Sequence, residues 1–182
     1  MSEARIRLRP TMLSDLDFVA TVEQDAANLP FITPWERTQH EGAVRFPDFR
    51  HFIIEVGAND TPNQPPAGFV IFQGCRNPHG SVELKRIVLA PKGLGLGRVA
   101  VRLLKQMAFT QLHAHRFWLD VKALNTRAQK LYASEGFVEE GRLRESVRVR
   151  MAGADGYDSL IVMSMLGREY QARLALGEEG VG

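Results

Sequence analysis

The 182-residue chain has the length of one domain, and its 45% hydrophobic and 24% charged residues are ordinary for a globular protein with a buried core. A formal net charge of +2 excludes the strongly basic surface that nucleic acid or a membrane surface would need. One cysteine, Cys75, excludes an internal disulfide and fits a reducing cytoplasm, and the lack of any long apolar run predicts neither a signal peptide nor a transmembrane helix.

In chain order, Arg5-Ile6-Arg7-Leu8-Arg9 alternates like a half-buried strand that Pro10 closes. Ser14 is placed to cap a helix over Asp15 to Glu23, with acids in its first turn to match the dipole. Thr33-Pro34-Trp35-Glu36 has the form of a capping box with proline at the first helical position, predicting a short helix to about Ala43. Strands over Phe49–Val56 and Ala67–Gly74 flank a run of turn residues from Gly57 to Pro66, the pattern of an antiparallel hairpin. Ser81–Leu89 is the next strand. Leu96, Val99, Ala100, Leu103, Leu104, Met107, Ala108 and Leu112 then recur at helical spacing within Leu94–Leu112. Phe117, Leu119 and Val121 alternate in a further strand, so Ser81–Val121 reads as strand, glycine turn, helix, parallel strand. Asn125 caps a second helix that Gly136 ends in the left-handed conformation. Two more strands, Phe137–Met151 and Tyr157–Leu166, surround the turn Gly153-Ala154-Asp155-Gly156, and a short helix is expected from Gly167.

The turn Lys92-Gly93-Leu94-Gly95-Leu96-Gly97-Arg98 carries the chemistry. Glycines let backbone N–H groups approach a ligand, and the following helix offers unpaired donors and partial positive charge. A pyrophosphate fits such a seat, with Lys92 and Arg98 adding charge at its rim. The plain alternative is a tight turn whose glycines serve packing alone. No Lys-Ser or Lys-Thr follows the glycines, which excludes a P-loop. Gly95, Gly97 and Ala100 fit G-x-G-x-x-A with Asp120 ending the next strand, a dinucleotide pattern, but the chain-initial βαβαβ half of that fold is missing.

With these motifs the chain resembles the GNAT superfamily of acyl-CoA-dependent N-acyltransferases. Lys92-Gly93-Leu94-Gly95-Leu96-Gly97 matches its Q/R-x-x-G-x-G/A turn except for lysine in the first place. Asn125, Ala128, Leu131, Tyr132, Gly136 and Phe137 match N-x-x-A-x-x-L-Y-x-x-x-G-F at every named position. The agreement in element order runs from Arg5 to Leu166, and the ends of the chain resemble the protein N-terminal and small-amine branch. The resemblance implies a mixed α/β (α+β) fold in one domain, residues 1–182 with a core of about 5–166 and a tail of 167–182. Its central sheet is mixed and mostly antiparallel, with two parallel splayed strands, flanked by helices.

It further implies acetyl-CoA as co-substrate, no metal, and a primary-amine acceptor, with no nucleic acid and no membrane as partners. The pyrophosphate is expected on the N–H groups of Gly93, Leu94, Gly95, Leu96, Gly97 and Arg98, with Lys92 beside them. Pantetheine is expected along Ile87, Val88 and Leu89, with Asn125 a further contact. Glu83 matches the position where some members place a general base. Asp120, in Leu119-Asp120-Val121, matches the acid used by others. Either can instead be a strand carboxylate paired with Lys85 or Arg86. Tyr132 matches the residue beside the thioester sulfur.

The α-amine of a protein or peptide leads as acceptor, with a small amine next, and transfer is direct, without an acyl-enzyme. An NAD(P)-dependent oxidoreductase and a non-catalytic acyl-CoA sensor are the alternatives. His51, His113 and His115 show no metal-ligand spacing and read as surface or strand residues; Cys75 reads as a small core residue. Arg142, Arg144, Arg148 and Arg150 form a basic series that is either a solvated strand face or a dock for an acidic acceptor. A homodimer is an arrangement the sequence leaves open.

Overall fold

The computed structural model describes residues 5–57, 64–90, 95–151 and 153–179. The calls on Lys92, Gly93 and Leu94 lie outside the described residues. Seven strands form one sheet in the order β1-β2-β3-β4-β5-β7-β6. They are β1 Arg5–Pro10, β2 Arg50–Gly57, β3 Pro66–Gln73, β4 Ser81–Leu89, β5 Arg116–Lys122, β6 Val138–Met151 and β7 Ala154–Leu166. All neighbours are antiparallel except β4 and β5, which are parallel as the intervening helix requires.

Both faces of the sheet are covered, which explains why Ala67–Phe72 of β3 is buried without alternation. Ile54, Val70, Phe72, Val82, Leu84, Phe117 and Leu119 point to one face, under α3 (Leu96–Gln106) and α5 (Gly167–Ala175). Ile53, Phe69, Ile71 and Val88 point to the other, under α1 (Leu16–Gln24), with Trp35 and Phe49 packed alongside. Burying apolar side chains contributes roughly 1.5–3 kcal/mol each, so these two clusters dominate the favourable side of folding.

A bulge in β4 changes which face its residues serve. Ile71 pairs with Arg86 but Phe72 pairs with Leu84, leaving Lys85 as the extra residue. Val82 and Leu84 therefore face the α3 side, whereas Val88 faces the α1 side.

Three helix boundaries differ from the sequence expectation. Ser14 does not cap α1. A 3₁₀ turn over Leu13–Asp15 precedes it, and the Asp15 carboxylate accepts from the Met12 N–H at 2.8 Å while also holding Arg9. The second helix, α2, runs Arg37–Arg45 and begins three residues after the proposed Thr33-Pro34 cap. Its reciprocal contact is the Gln39 side chain accepting from the Glu36 N–H at 2.8 Å. The third helix does not continue as an α-helix to Leu112: it widens to a π-helical turn over Met107–Gln111. Asn125 does cap α4 (Thr126–Ser134), its Oδ1 accepting from the Ala128 N–H at 3.1 Å, and Gly136 after it has φ +90°.

Candidate active site

The site begins where two strands part. Ser81, Val82 and Glu83 of β4 pair with Arg116, Phe117 and Trp118 of β5, and the pairing goes no further. From Leu84 onward β4 runs against β3 alone, and β5 beyond Trp118 runs against β7. The result is a gap between parallel strands: Ile87, Val88 and Leu89 pair with β3 alone, so the backbone groups that alternate to the other side of β4 there face no strand. An extended ligand can add there like a strand.

Gly95, the residue before α3, has φ +71° and open space where a side chain would begin. The first N–H groups of an α-helix, here those of Leu96 and Gly97, have no partner within the helix and suit an anion. The N–H of Arg98 already donates to the Gly95 carbonyl at 3.2 Å. Gly97 also has a packing duty. A Cβ there would lie 3.3 Å from Cδ2 of Leu131, so this glycine allows α3 and α4 to approach. A clean test of the phosphate seat is therefore Gly95→Val. A β-branched residue at this φ costs about 1–2 kcal/mol or forces the turn to rearrange. CoA affinity is expected to fall at least tenfold in a variant that still melts cooperatively; calorimetry giving wild-type affinity would remove Gly95 from the binding site.

Arg98 is not a free cation at the rim. Its guanidinium lies 2.5 Å from Glu135, a fully buried carboxylate that also takes Arg102 at 3.0 Å and Lys105 at 3.2 Å. Lys105 is itself fully buried and bonds Glu179 at 2.6 Å, which in turn holds Arg173. This cluster ties the face of α3 to the end of α4 and to the C-terminal segment. Burial would raise the Glu135 pKa, but hydrogen bonds from Arg102, Lys105 and Arg98 hold it below the usual carboxylate range.

The three proposed catalytic groups gather at the parting point. Glu83 is buried, with Lys85 Nζ at 3.1 Å. Burial pushes its carboxyl up, Lys85 opposes this, and the charge of Asp120 adds to the rise. Asp120 is exposed on β5, two residues past Trp118 and on the same strand face. Its charge also reaches Tyr132, whose buried phenol is pushed up to about 12, mainly by burial. A phenol with that pKa stays protonated at every assay pH and remains a hydrogen-bond donor. Tyr132 packs edge-on against Phe137, ring centroids 5.7 Å apart.

Sequence reasoning missed a buried polar chain on the α1 side, and His51 is part of it rather than a surface residue. Thr11 Oγ1 lies 2.9 Å from His51 Nδ1, His51 Nε2 3.2 Å from His40 Nδ1, and His40 Nε2 3.0 Å from Glu23 Oε2. Glu23 also pairs with Arg86 and accepts from the Trp35 N–H at 2.9 Å. With both imidazoles neutral one proton order satisfies every link, running from the Thr11 hydroxyl to His51, His40 and the Glu23 carboxylate. Burial, helped by His40, pushes His51 down to about 4. The unfolded chain takes up that proton near the ordinary value of 6.5, so stability falls as pH drops from 6.5 towards 4, by about 3 kcal/mol for this residue. Thermal midpoints across that range are expected to fall steeply in the wild type and less in His51→Phe; equal slopes would assign the acid sensitivity to other groups.

Cys75 is half-buried and its thiol is pushed up to about 11 by burial, which fits an inert packing residue. Among the described residues, no group of three or more His, Cys, Asp or Glu side chains is placed to hold a metal ion. No helix among them is long and apolar enough to cross a membrane.

Residues 5–138 match the family model for the acetyltransferase (GNAT) domain. The chain belongs to the GNAT family. The splayed β4 and β5, the left-handed glycine before α3 and the Asn125-to-Phe137 motif are thus this GNAT chain's version of the family scaffold. Its sequence is 39% identical over 69 residues to the spermidine N(1)-acetyltransferase of Vibrio cholerae serotype O1, a match spanning 37% of this chain and 39% of that enzyme's length. A chimeric form of the Vibrio cholerae spermidine N-acetyltransferase superposes with a TM-score of 0.77 at 26% identity, covering 92% of this chain and 99% of that one. The Vibrio cholerae spermidine N-acetyltransferase in complex with CoA and spermine superposes with a TM-score of 0.78 at 24% identity, over 91% and 98% of the two chains, a likeness of fold.

Proposed function

We propose that this protein transfers the acetyl group of acetyl-CoA directly to the primary amine of a small molecule. The observation that carries the reading is the parting of β4 and β5 immediately beside a buried carboxylate, Glu83. Pantetheine occupies the gap and pairs with the free backbone edge of β4, whose N–H groups polarise the thioester carbonyl. A protonated amine has no lone pair, so Glu83 removes its proton, directly or through water. The neutral amine attacks the carbonyl carbon, its nitrogen passes its surplus proton to water, the tetrahedral intermediate collapses, and the C–S bond breaks. Tyr132 donates to the departing thiolate. The names of the relatives favour a small amine over the α-amine of a protein as acceptor.

A panel of primary amines with acetyl-CoA, read by release of the CoA thiol, tests the activity; no release with any amine in a protein that binds CoA would leave the sensor reading in its place. Tyr132→Phe isolates the leaving-group step because it removes only the hydroxyl. We expect kcat to fall roughly tenfold to a hundredfold, the low end of acid catalysis because a thiolate already leaves well, with CoA affinity and melting temperature nearly unchanged. Wild-type kcat across the pH range would make Tyr132 a packing residue.

A further inference from the structure

We infer that Arg86 and Lys122 are positioning residues for the amine acceptor: from opposite walls of the gap they pin the segment Pro30–Trp35 across it, and this strap forms the acceptor side of the site. The inference rests on the proposed acetyl transfer in calling the bound amine an acceptor.

Strand register puts both side chains on the α1 side of the sheet. Arg86 pairs with Ile71, which belongs to the α1-side cluster. Phe117, Leu119 and Val121 face α3, so Trp118, Asp120 and Lys122 alternate to the α1 side. Glu83 pairs with Trp118 and follows Val82, which faces α3, so Glu83 shares the α1 side. The α3 side of the gap is filled by packed core, Leu119, Val121 and Tyr132 among it. An amine therefore reaches the carboxylates from the α1 side, and that is the side the strap crosses.

Each end of the strap is tied to a different wall. On β4, the Arg86 guanidinium donates to the Thr33 carbonyl at 2.9 Å, lies 4.9 Å from the centre of the Trp35 ring and pairs with Glu23. On β5, the Lys122 ammonium donates to the Pro30 carbonyl at 3.2 Å, with the buried Asp158 carboxylate as its counter-charge. Both ties run from a charged donor to a backbone carbonyl, which makes them stronger than neutral hydrogen bonds. Pro30 and Thr33 are three residues apart, a reach of about 10 Å at most. Neighbouring strands lie about 4.8 Å apart, so this reach fits a gap one absent strand wide.

A cavity of about 190 Å³ lies against the strap. Pro30, Ile32 and Pro34 line it from the strap, Lys122 from β5 and Val149 from β6. Arg148 and Arg150 border it as well, but alternation turns their side chains to the opposite face of β6 from Val149. An apolar cavity of about 150 Å³ holds benzene, so there is room here for the body of a small amine. The strap supplies much of the lining, so its height sets the shape of the space. Arg86 does not line the cavity and acts through the strap; Lys122 both lines the cavity and holds its roof.

Arg86→Met is therefore the clean test, with butylamine, phenethylamine, ethanolamine and spermidine as probes. Its KM for the best of the four is expected to rise about tenfold or more, with kcat changed less than about threefold. KM values across the four draw together, because a loose roof discriminates less. CoA affinity by calorimetry stays within about twofold of wild type. Lys122→Met does the same from the other wall, and Arg86→Lys, which keeps a donor for Thr33, recovers most of the loss. A second readout needs no turnover: with Trp118→Phe in place Trp35 is the one indole left, and acrylamide should quench it more strongly once Arg86 is changed. If Arg86→Met does not fold because Glu23 stays buried without its cation, Glu23→Gln with Arg86→Met removes both charges and carries the same expectation. An unchanged KM in a variant with exposed Trp35 overturns the acceptor role, and so does a parallel loss of kcat, CoA affinity and melting midpoint. Unchanged quenching overturns the pinning, and a wild type that neither acetylates nor binds any of the four overturns the assignment of the cavity. Calorimetry with CoA present, showing that Arg86→Met weakens amine binding in a protein that acetylates none of them, would keep the strap and refute acetyl transfer instead.

Discussion

Glu83→Gln is expected to lower kcat about a hundredfold or more at pH 7 to 8, within the range general-base catalysis supplies. The pH profile is the sharper readout. The proposed base works as a carboxylate, and burial beside Asp120 raises the pKa of Glu83. Below that raised value the wild type loses its base and converges on the variant. Near the pKa of the amine, about 10 for a lysine-like group, the acceptor needs no base and the two converge again. The ratio of wild type to variant is therefore widest between these limits and closes on both sides. Asp120→Asn, which alters an exposed residue and lowers the Glu83 pKa, should cost less in kcat and shift the acid limb to lower pH. The opposite ranking of the two variants would exchange their roles, and no effect from either would leave water as the base.

Glu135→Ala is expected to destabilise the fold by about 3–5 kcal/mol, because it leaves buried Lys105 short of a partner and frees Arg98 and Arg102. For a chain of this size that lowers the melting midpoint by roughly 10 °C. Adding Lys105→Met should recover much of the loss, since the uncompensated charge goes with it, and a double-mutant cycle measures the coupling. A midpoint within 2 °C of wild type for Glu135→Ala would mean that Glu179 alone suffices for Lys105. CoA affinity should fall too, because the first turn of α3 loses its anchor to α4.

The parts of the molecule legible in its sequence are those whose signals are local. The strand, helix and strand over Ser81–Val121 announce themselves through periodicity and spacing, and Asn125 and Gly136 through the special backbone each sits in. The caps failed where a distant residue intervened. Glu23 takes the Trp35 N–H, so Thr33–Glu36 stays outside the helix and α2 begins at Arg37, its Gln39 side chain accepting from the Glu36 N–H. Asp15 outcompetes Ser14 because the Arg9 guanidinium holds it against the Met12 N–H. The chain from Thr11 to Glu23 draws on four separate segments, and no spacing in one segment could reveal it. Nor does any glycine or proline mark the bulge at Lys85, which only pairing with β3 exposes. Glu135 occupies an unspecified place in its motif, yet its carboxylate gathers three cations.

The short pairing between β4 and β5 has a thermodynamic meaning beyond catalysis. Three residue pairs stitch β1–β4 to β5–β7 within the sheet, and the rest of that seam is left for a ligand to close. A molecule lying there completes the sheet as a transient eighth strand, so saturation and folding free energy become one linked quantity. At a hundred times its Kd such a ligand adds about 2.7 kcal/mol of stability. A thiol product that keeps its pantetheine in the seam retains most of that gain, and its departure requires the two half-sheets to give up backbone pairing together. On the proposed reading, turnover couples each catalytic cycle to a closing and reopening of this seam.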